Sequence, residues 1–304
     1  MAEDTRAGFV ALIGEPNAGK STLLNRMVGA KVSIVTHKVQ TTRTRIRGVA
    51  LEGPAQIVFV DTPGLFRPRR RLDRAMVAAA WSGAADADVV VLMVEAHRGL
   101  TEGVQAILDG LGDKVPAGQT VALAINKIDR VKAEALLALS QKLNAAHPFA
   151  ATFMISAERG HGVDDLRRWL AEQLPVGPWL YPEDQIADLP LRMIAAEMTR
   201  EKLTLRLHQE LPYELTVETE AWEDRPDGSV RIDQIVYVAR DGHKGIVLGH
   251  GGETIKAVGQ SARAEIAAFL DRTVHLFITI KVRPKWLEEP ERYGEMGLDF
   301  RDGN

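Results

Sequence analysis

The chain has 304 residues, a length that suits two domains better than one. Hydrophobic residues make up 45% of it, enough for packed cores, and the lack of cysteine excludes disulfides and thiolate-ligated zinc or iron–sulfur centres. Net charge is −3 and uneven: residues 1–184 hold 22 basic and 20 acidic side chains, residues 185–304 hold 16 and 21, so a bulk basic domain is excluded and any nucleic-acid site in the second part is a local patch.

The first residues show no charged segment leading into an apolar one, so no signal peptide is expected. Phe9–Ile13 and Val89–Val94 are too short to cross a bilayer, which predicts a cytoplasmic chain and leaves open only peripheral contact at the inner face of the membrane. Phe9–Ile13 reads as a strand ending at a glycine loop, and a helix begins at Leu23–Val28. Gln56–Val60 is the next strand and closes on Asp61; Asp88–Val94, Thr120–Ile125 and Ala151–Ile155 follow. Helical stretches such as Ala133–Ala145 and Val163–Leu174 lie between them. Apolar runs alternating with helices predict an α/β domain, a mostly parallel sheet with helices on both faces.

Pro175, Gly177, Pro178, Pro182 and Pro190 mark a linker. Beyond it Leu191–Leu211 has helical periodicity, Leu215–Ala221 alternates as a half-buried strand, and Arg225–Ser229 turns into a returning strand at Val230–Ala239. The glycine-rich Gly249–Gly252, helical sequence to Leu270 and an alternating strand at Val274–Val282 complete an α+β unit. The last ~20 residues are polar and expected to be poorly ordered. The domain reading is therefore 1–176, a linker at 177–190, and 191–304 including a tail.

Gly14-Glu-Pro-Asn-Ala-Gly-Lys-Ser21 matches G-x-x-x-x-G-K-[ST] between a strand and a helix, the context that makes this a P-loop. Gly14, Asn17, Ala18, Gly19, Lys20, Ser21 and Thr22 are its expected nucleotide-binding residues, with backbone N–H groups and the helix dipole facing phosphate. Lys20 would bridge the β- and γ-phosphates and Ser21 would offer its hydroxyl to Mg²⁺. Asp61-Thr-Pro-Gly64 closes a strand, so Asp61 can reach the metal and the Gly64 N–H can approach the γ-phosphate. Between them lies Gln40-Thr-Thr-Arg43, where Thr42, with Thr41 as the alternative, would complete the metal shell. Arg67–Arg71 reads as a solvated, mobile basic loop.

Asn126-Lys-Ile-Asp129 follows the fourth of these strands. The Asp129 carboxylate can accept from the N1–H and N2–H₂ of guanine, a donor pair adenine lacks. Asn126 can brace the loop, and the stem of Lys127 can lie along the base. In Ser156-Ala-Glu158, after the fifth, Ala157 could turn its N–H to the guanine O6.

In this order and spacing, the five loops resemble the G motifs of the TRAFAC-class GTPases. Ile246–Lys256 resembles the G-x-x-G turn of a type II KH domain, and Glu210–Tyr213 and Arg263–Ile266 are similar as well. Together, from about residue 7 to 295, the chain resembles the Era family, departing locally at Val39 where a proline or alanine is usual. The resemblance implies a P-loop G domain followed by a type II KH domain. It implies binding of GTP and GDP with Mg²⁺, GTP hydrolysis, and a monomer that binds the 3′ end of 16S ribosomal RNA and assists 30S subunit assembly. Lys244, Gly249, His250, Gly251, Gly252 and Lys256 are the expected RNA contacts, Arg263, Lys281, Arg283 and Lys285 weaker ones, and Trp286 a packing residue.

For hydrolysis the expected catalytic residues are Lys20, Asn17, Thr42 and Gly64. Leu65 stands where Ras-like enzymes carry a water-orienting glutamine, and Asn17 stands where several related GTPases help hold K⁺ against the phosphates; bracing of the loop is the other role open to Asn17. The γ-phosphate would order Val32–Gly48 and Gly64–Asp73 and so alter how the second domain docks. Three alternatives are a nucleotide-sensing switch with negligible hydrolysis, a GTPase with another client, and a P-loop ATPase or kinase, the last opposed by Asn126–Asp129.

Overall fold

The computed structural model describes residues 5–36, 46–68, 70–183, 185, 190–208, 211–284, 286, 289–290, 293 and 298–301. Thr41, Thr42, Val39, Glu210 and Lys285 lie outside the described residues. The chain forms two compact units: Met1–Ser33 with Thr42–Asp188 and Tyr293–Asn304, and Ile34–Thr41 with Leu189–Arg292.

The first unit runs β1 (Arg6–Gly14), α1 (Lys20–Val28), β2 (Ile46–Glu52), β3 (Ala55–Asp61), α2 (Arg71–Ala85), β4 (Val89–Glu95), α3 (Glu102–Lys114), β5 (Thr120–Asn126), α4 (Ala133–Ala146), β6 (Ala151–Ile155) and α5 (Val163–Gln173). Its sheet has the order β2-β3-β1-β4-β5-β6. All pairs are parallel except β2–β3. β3 and β4 are buried along their whole length, and β5 is buried after Thr120, which is why these strands read as continuous apolar runs rather than alternations. Their carboxyl ends fall in register: Leu12 lies beside Asp61, Glu95 beside Asn126, and Asn126 beside Ile155. One edge of the sheet therefore carries the loop after each of these strands, where open α/β sheets bind ligands.

β2 was not expected. Arg47, Gly48 and Glu52 interrupt its apolar pattern, and it pairs only at the sheet edge, against β3. α1 begins at Lys20, not Leu23, because Gly19 at φ 100° turns the chain straight into the helix. The end of the chain also departs from expectation. Among its described residues, Tyr293 and Leu298 are buried, and Tyr293 meets Phe300 edge-on at 5.0 Å. Arg71 is the first residue of α2, not part of a solvated loop, and its guanidinium lies 4.1 Å from the centre of the Phe300 ring.

The second unit runs α6 (Leu191–Arg206), β7 (Leu215–Asp224), β8 (Val230–Val238), α7 (Asp241–Leu248), α8 (Glu253–Leu270) and β9 (Val274–Val282). Its sheet has the order β7-β8-β9, antiparallel then parallel. Leu203, Val217, Val236 and Val258 form one part of its core, and Met198, Ile232, Ala262 and Ile266 another. α6 stops at Arg206, short of the expected Leu211, where Leu207 turns extended (ψ 154°). The buried Glu201 on α6 accepts the Val35 N–H at 2.8 Å, so the segment that follows Ser33 is held within this unit. Among the described residues no helix is long and apolar enough to cross a membrane.

Candidate functional site

β1 delivers Gly14 to the sheet edge, and the loop to Gly19 turns back over it. Asn17 sits exposed at φ 66°, a conformation asparagine tolerates better than most side chains. Gly19 has no substitute: a Cβ there would lie 2.2 Å from Asn126 Nδ2. Lys20 is 6% exposed, and its ammonium donates to the carbonyls of Gly14 (3.1 Å) and Glu15 (3.0 Å). Burial pushes its pKa down to about 8, opposed by the carboxylates of Asp61 and Glu15. Thr22 is half-buried on the first turn of α1.

Asp61 is fully buried at the end of β3, and Ser21 Oγ donates to its Oδ2 at 2.7 Å. A hydroxyl and a carboxylate, both hard oxygen donors, fit Mg²⁺. The turn beyond Asp61 packs on the P-loop: the Leu65 N–H donates to Gly14 O at 2.9 Å, and a Cβ on Gly64 would meet Pro16 at 2.8 Å. This tight glycine cradle, with its buried ammonium, fits a phosphate chain. The Leu65 side chain is buried in a cluster with Ile13, Val94 and Val104 and is not available to a water molecule.

Asn126 joins the P-loop to the last loop of the sheet. Its Nδ2 donates to Ala18 O at 2.8 Å, and its Oδ1 accepts the Ala157 N–H at 3.0 Å. The Ala157 N–H, expected to face guanine, is thus engaged by Asn126 in this structure. Ser156, fully buried, donates its hydroxyl to Asp129 Oδ1 at 2.6 Å. That bond, more than the Arg159 guanidinium 3.7 Å away, holds the Asp129 carboxyl below the usual carboxylate range. Asp129 is therefore ionised at neutral pH and presents acceptors. Lys127, at φ 62°, places its ammonium 2.7 Å from Glu95 Oε1.

Gly14–Thr22, Asp61–Gly64, Asn126–Asp129 and Ser156–Ala157 are thus brought together on one sheet edge, whereas Lys244, Gly249–Gly252 and Lys256 belong to the second unit. Three residues outside the motifs, Ser33, Glu95 and Arg26, and Thr62 within the Asp-Thr-Pro-Gly turn also shape the first site. Ser33 donates to Asp61 Oδ2 at 2.8 Å, and Thr62 Oγ1 donates to Leu12 O at 2.6 Å. Glu95 anchors Lys127, and Arg26 donates to the carbonyls of Ala157 (3.2 Å) and Glu158. Ser33, Glu95 and Arg26 act across the fold, and no local pattern marks them.

In the second unit, Gly249 (φ 74°) ends α7, Gly251 lies at φ 56°, and Gly252 (φ 80°) opens α8. A Cβ on Gly249 would come 2.2 Å from Thr254 Oγ1, while one on Gly251 or Gly252 would meet open space. Lys244, His250 and Lys256 are exposed around the turn, as are Ile246 (57%) and Leu248 (36%). Exposed Arg263 lies on α8, Lys281 is 3.5 Å from Glu220, and Arg283 is 2.8 Å from Glu289. Trp286 is buried and donates Nε1–H to Glu214 O at 3.3 Å, a packing role.

A P-loop, an Asp-x-x-Gly turn and an Asn-Lys-x-Asp tetrad on one sheet edge, followed by a helix-flanked glycine turn, define a P-loop GTP-binding protein with an appended KH domain. The chain matches the 50S ribosome-binding GTPase family over residues 9–127 and the KH domain family over residues 210–287. It is 79% identical to GTPase Era of Dinoroseobacter shibae, over 100% of this chain and 98% of that one, and 62% identical to GTPase Era of Brucella suis, over 98% and 95%. Two solved structures each superpose with a TM-score of 0.90 at 36% identity, covering 96% of this chain and 99% of theirs. One is Era with MgGDPNP and nucleotides 1506–1542 of 16S ribosomal RNA; the other is a point variant of Aquifex aeolicus Era with GDP·AlF₄⁻. The chain belongs to the Era family of GTPases.

The depressed pKa of Lys20 has a measurable sign. Between pH 8 and 10.5 the unfolded chain holds a proton on this residue that the folded chain has released, so stability rises with pH across that window. Chemical unfolding without nucleotide should show wild type gaining up to about 3 kcal/mol relative to Lys20→Met from pH 8 to 10.5. Parallel curves for the two proteins would contradict the buried, charged Lys20.

Proposed function

We propose that this chain binds GTP and GDP with Mg²⁺, hydrolyses GTP to GDP and phosphate, and uses its KH domain to hold the 3′ end of 16S ribosomal RNA during assembly of the 30S subunit. The observation that carries the nucleotide half is the bonded continuity of the motif loops: Ser21 to Asp61, Leu65 to Gly14, Ala18 to Asn126 to Ala157, and Ser156 to Asp129. The relative solved with MgGDPNP and 16S nucleotides supports both halves. A cytoplasmic monomer, with domains at 1–176 and 191–304 joined by 177–190 and with peripheral contact at the membrane's inner face, completes the reading.

The roles follow from chemistry. Lys20 and the N–H groups of the P-loop hold the β- and γ-phosphates, and Gly64 turns its N–H to the γ-phosphate. Ser21 and Asp61 would hold Mg²⁺, with Thr42 as the ligand that arrives with GTP. Bound there, Mg²⁺ would neutralise charge on the phosphate oxygens. Asp129 accepts from guanine N1–H and N2–H₂, Lys127 lies along the base, and Asn126 with Ser156 and Ala157 fixes the loops that present them. Positioning and charge stabilisation supply most of the catalysis, since Leu65 points into the core and offers no group to a water molecule.

A further cation would compensate for that missing group. Asn17 lies exposed on the P-loop, and in this reading it helps hold K⁺ beside the phosphates. GTP turnover should be several-fold faster in K⁺ than in Na⁺ at equal ionic strength, and Asn17→Ala should abolish the difference. Equal rates in the two salts would remove K⁺ from the mechanism.

The RNA half rests on the turn at Gly249–Gly252, with Lys244, His250 and Lys256 as the contacts around it. Glycines at positive φ with open space beside them let a single-stranded backbone approach closely. The hold of Glu201 on Val35 ties the segment after Ser33 to the KH-bearing unit, which supports coupling of RNA affinity to nucleotide state. Crosslinking to an RNA of the 16S 3′ end should be stronger with a GTP analogue than with GDP. It should fall about tenfold or more when Gly251→Asp and Gly252→Asp are combined, with GTP turnover unaltered. Equal crosslinking in the two nucleotide states would sink the coupling, and undiminished crosslinking of the variant would sink the assignment of the turn.

A further inference from the structure

The Asp61 carboxylate is held from two sides. Ser21 Oγ, from the P-loop, donates to Oδ2 at 2.7 Å, and Ser33 Oγ donates to the same oxygen at 2.8 Å. Ser33 belongs to no nucleotide-binding motif. It is 1% exposed and lies 28 residues before Asp61 in the chain.

What places Ser33 is a single side chain on α1. Asn25 Oδ1 accepts the N–H groups of both Val32 and Ser33, each at 2.9 Å, and Asn25 Nδ2 donates to Ser33 O at 2.7 Å. Both lone pairs of the amide oxygen and one amide proton are thereby spent on two consecutive residues. The backbone of Ser33 is clamped at its N–H and its C=O, and the hydroxyl has a fixed place from which to reach the carboxylate. A serine present only to fill space would need none of this, and an alanine of similar volume would serve as well.

We propose that Asn25 and Ser33 are positioning residues for the metal: the clamped Ser33 hydroxyl fixes the orientation of the Asp61 carboxylate, so that Asp61 and Ser21 meet Mg²⁺ without reorganising. Outer-shell hydrogen bonds to ligating carboxylates act in this way and alter metal affinity by about 10–100-fold when lost. Asn25 stands on the helix that begins with Lys20 and Ser21, so phosphate contact, metal ligand and ligand support share one rigid element. The inference rests on the reading of this edge as a nucleotide–Mg²⁺ site.

The test uses the full-length protein loaded with a fluorescent GDP analogue, with release followed as free Mg²⁺ is lowered. Wild type should release the analogue faster as Mg²⁺ falls, with a defined midpoint. In Ser33→Ala that midpoint should move to roughly tenfold higher Mg²⁺, while release in excess chelator stays at the wild-type rate. Ser33→Thr, which keeps the hydroxyl, should restore the midpoint. Asn25→Ala should shift it in the same direction, and the double variant should add little to either single change. An unshifted midpoint in Ser33→Ala overturns the proposal. So does equally accelerated release in chelator, which would report a loosened pocket and not a lost metal support. Wild-type release indifferent to Mg²⁺ would instead overturn the underlying site reading.

Discussion

Asn126 is the side chain on which the arrangement depends. Its amide bridges the carbonyl of Ala18 and the N–H of Ala157, three elements that are distant in sequence and adjacent only because β1, β4, β5 and β6 end together. Asn126 is 2% exposed, so both bonds are made away from water. Losing the side chain would strand a buried carbonyl and a buried N–H, each at about 1–3 kcal/mol. It would also separate the loop that faces phosphate from the loop that reads the base. The absence of a Cβ at Gly19 follows from the same contact, since the amide occupies that space.

Around this bridge the electrostatics are arranged by opposite means. Lys20 is desolvated and destabilised as a cation, while the Gly14 and Glu15 carbonyls accept from its ammonium and the carboxylates of Asp61 and Glu15 oppose the loss of its charge. Asp129 is stabilised as an anion by the Ser156 hydroxyl and presents acceptors at neutral pH. The phosphate end thus holds a buried cation and the base end an ionised carboxylate, the polarity a guanine nucleotide demands. The second unit solves a different problem. Its acidic balance gives no general attraction for RNA, so in the proposed reading affinity comes from close backbone approach at Gly249–Gly252 and from the local basic groups of Lys244, His250 and Lys256 beside it.

Much of this was legible in the sequence, for physical reasons. Strands buried on both faces are continuous apolar runs, so β3, β4 and β5 stand out. Phosphate and guanine recognition need fixed residue types at fixed spacing, so their loops stood out too. β2 did not, because an edge strand tolerates Arg47, Gly48 and Glu52. The end of α6 comes earlier than the sequence predicts, because the helical apolar pattern persists past Arg206 while the backbone already turns at Leu207. The tail read as polar although Tyr293, Leu298 and Phe300 are enough to anchor its described part. Ser33, Glu95 and Arg26 left no signal, since each works on a partner from 28 to 132 positions away.

The central claim is that the loops after β1, β3, β5 and β6 converge on one guanine nucleotide. Replacing Asp129 by Asn tests it most directly, because it reverses one donor–acceptor relation at the base and leaves the phosphate end untouched. The account predicts that Asp129→Asn loses GTP turnover and gains turnover of xanthosine triphosphate, whose base offers a carbonyl where guanine offers an amine. A variant that keeps its preference for GTP, or that turns over neither nucleotide while remaining folded, would contradict it.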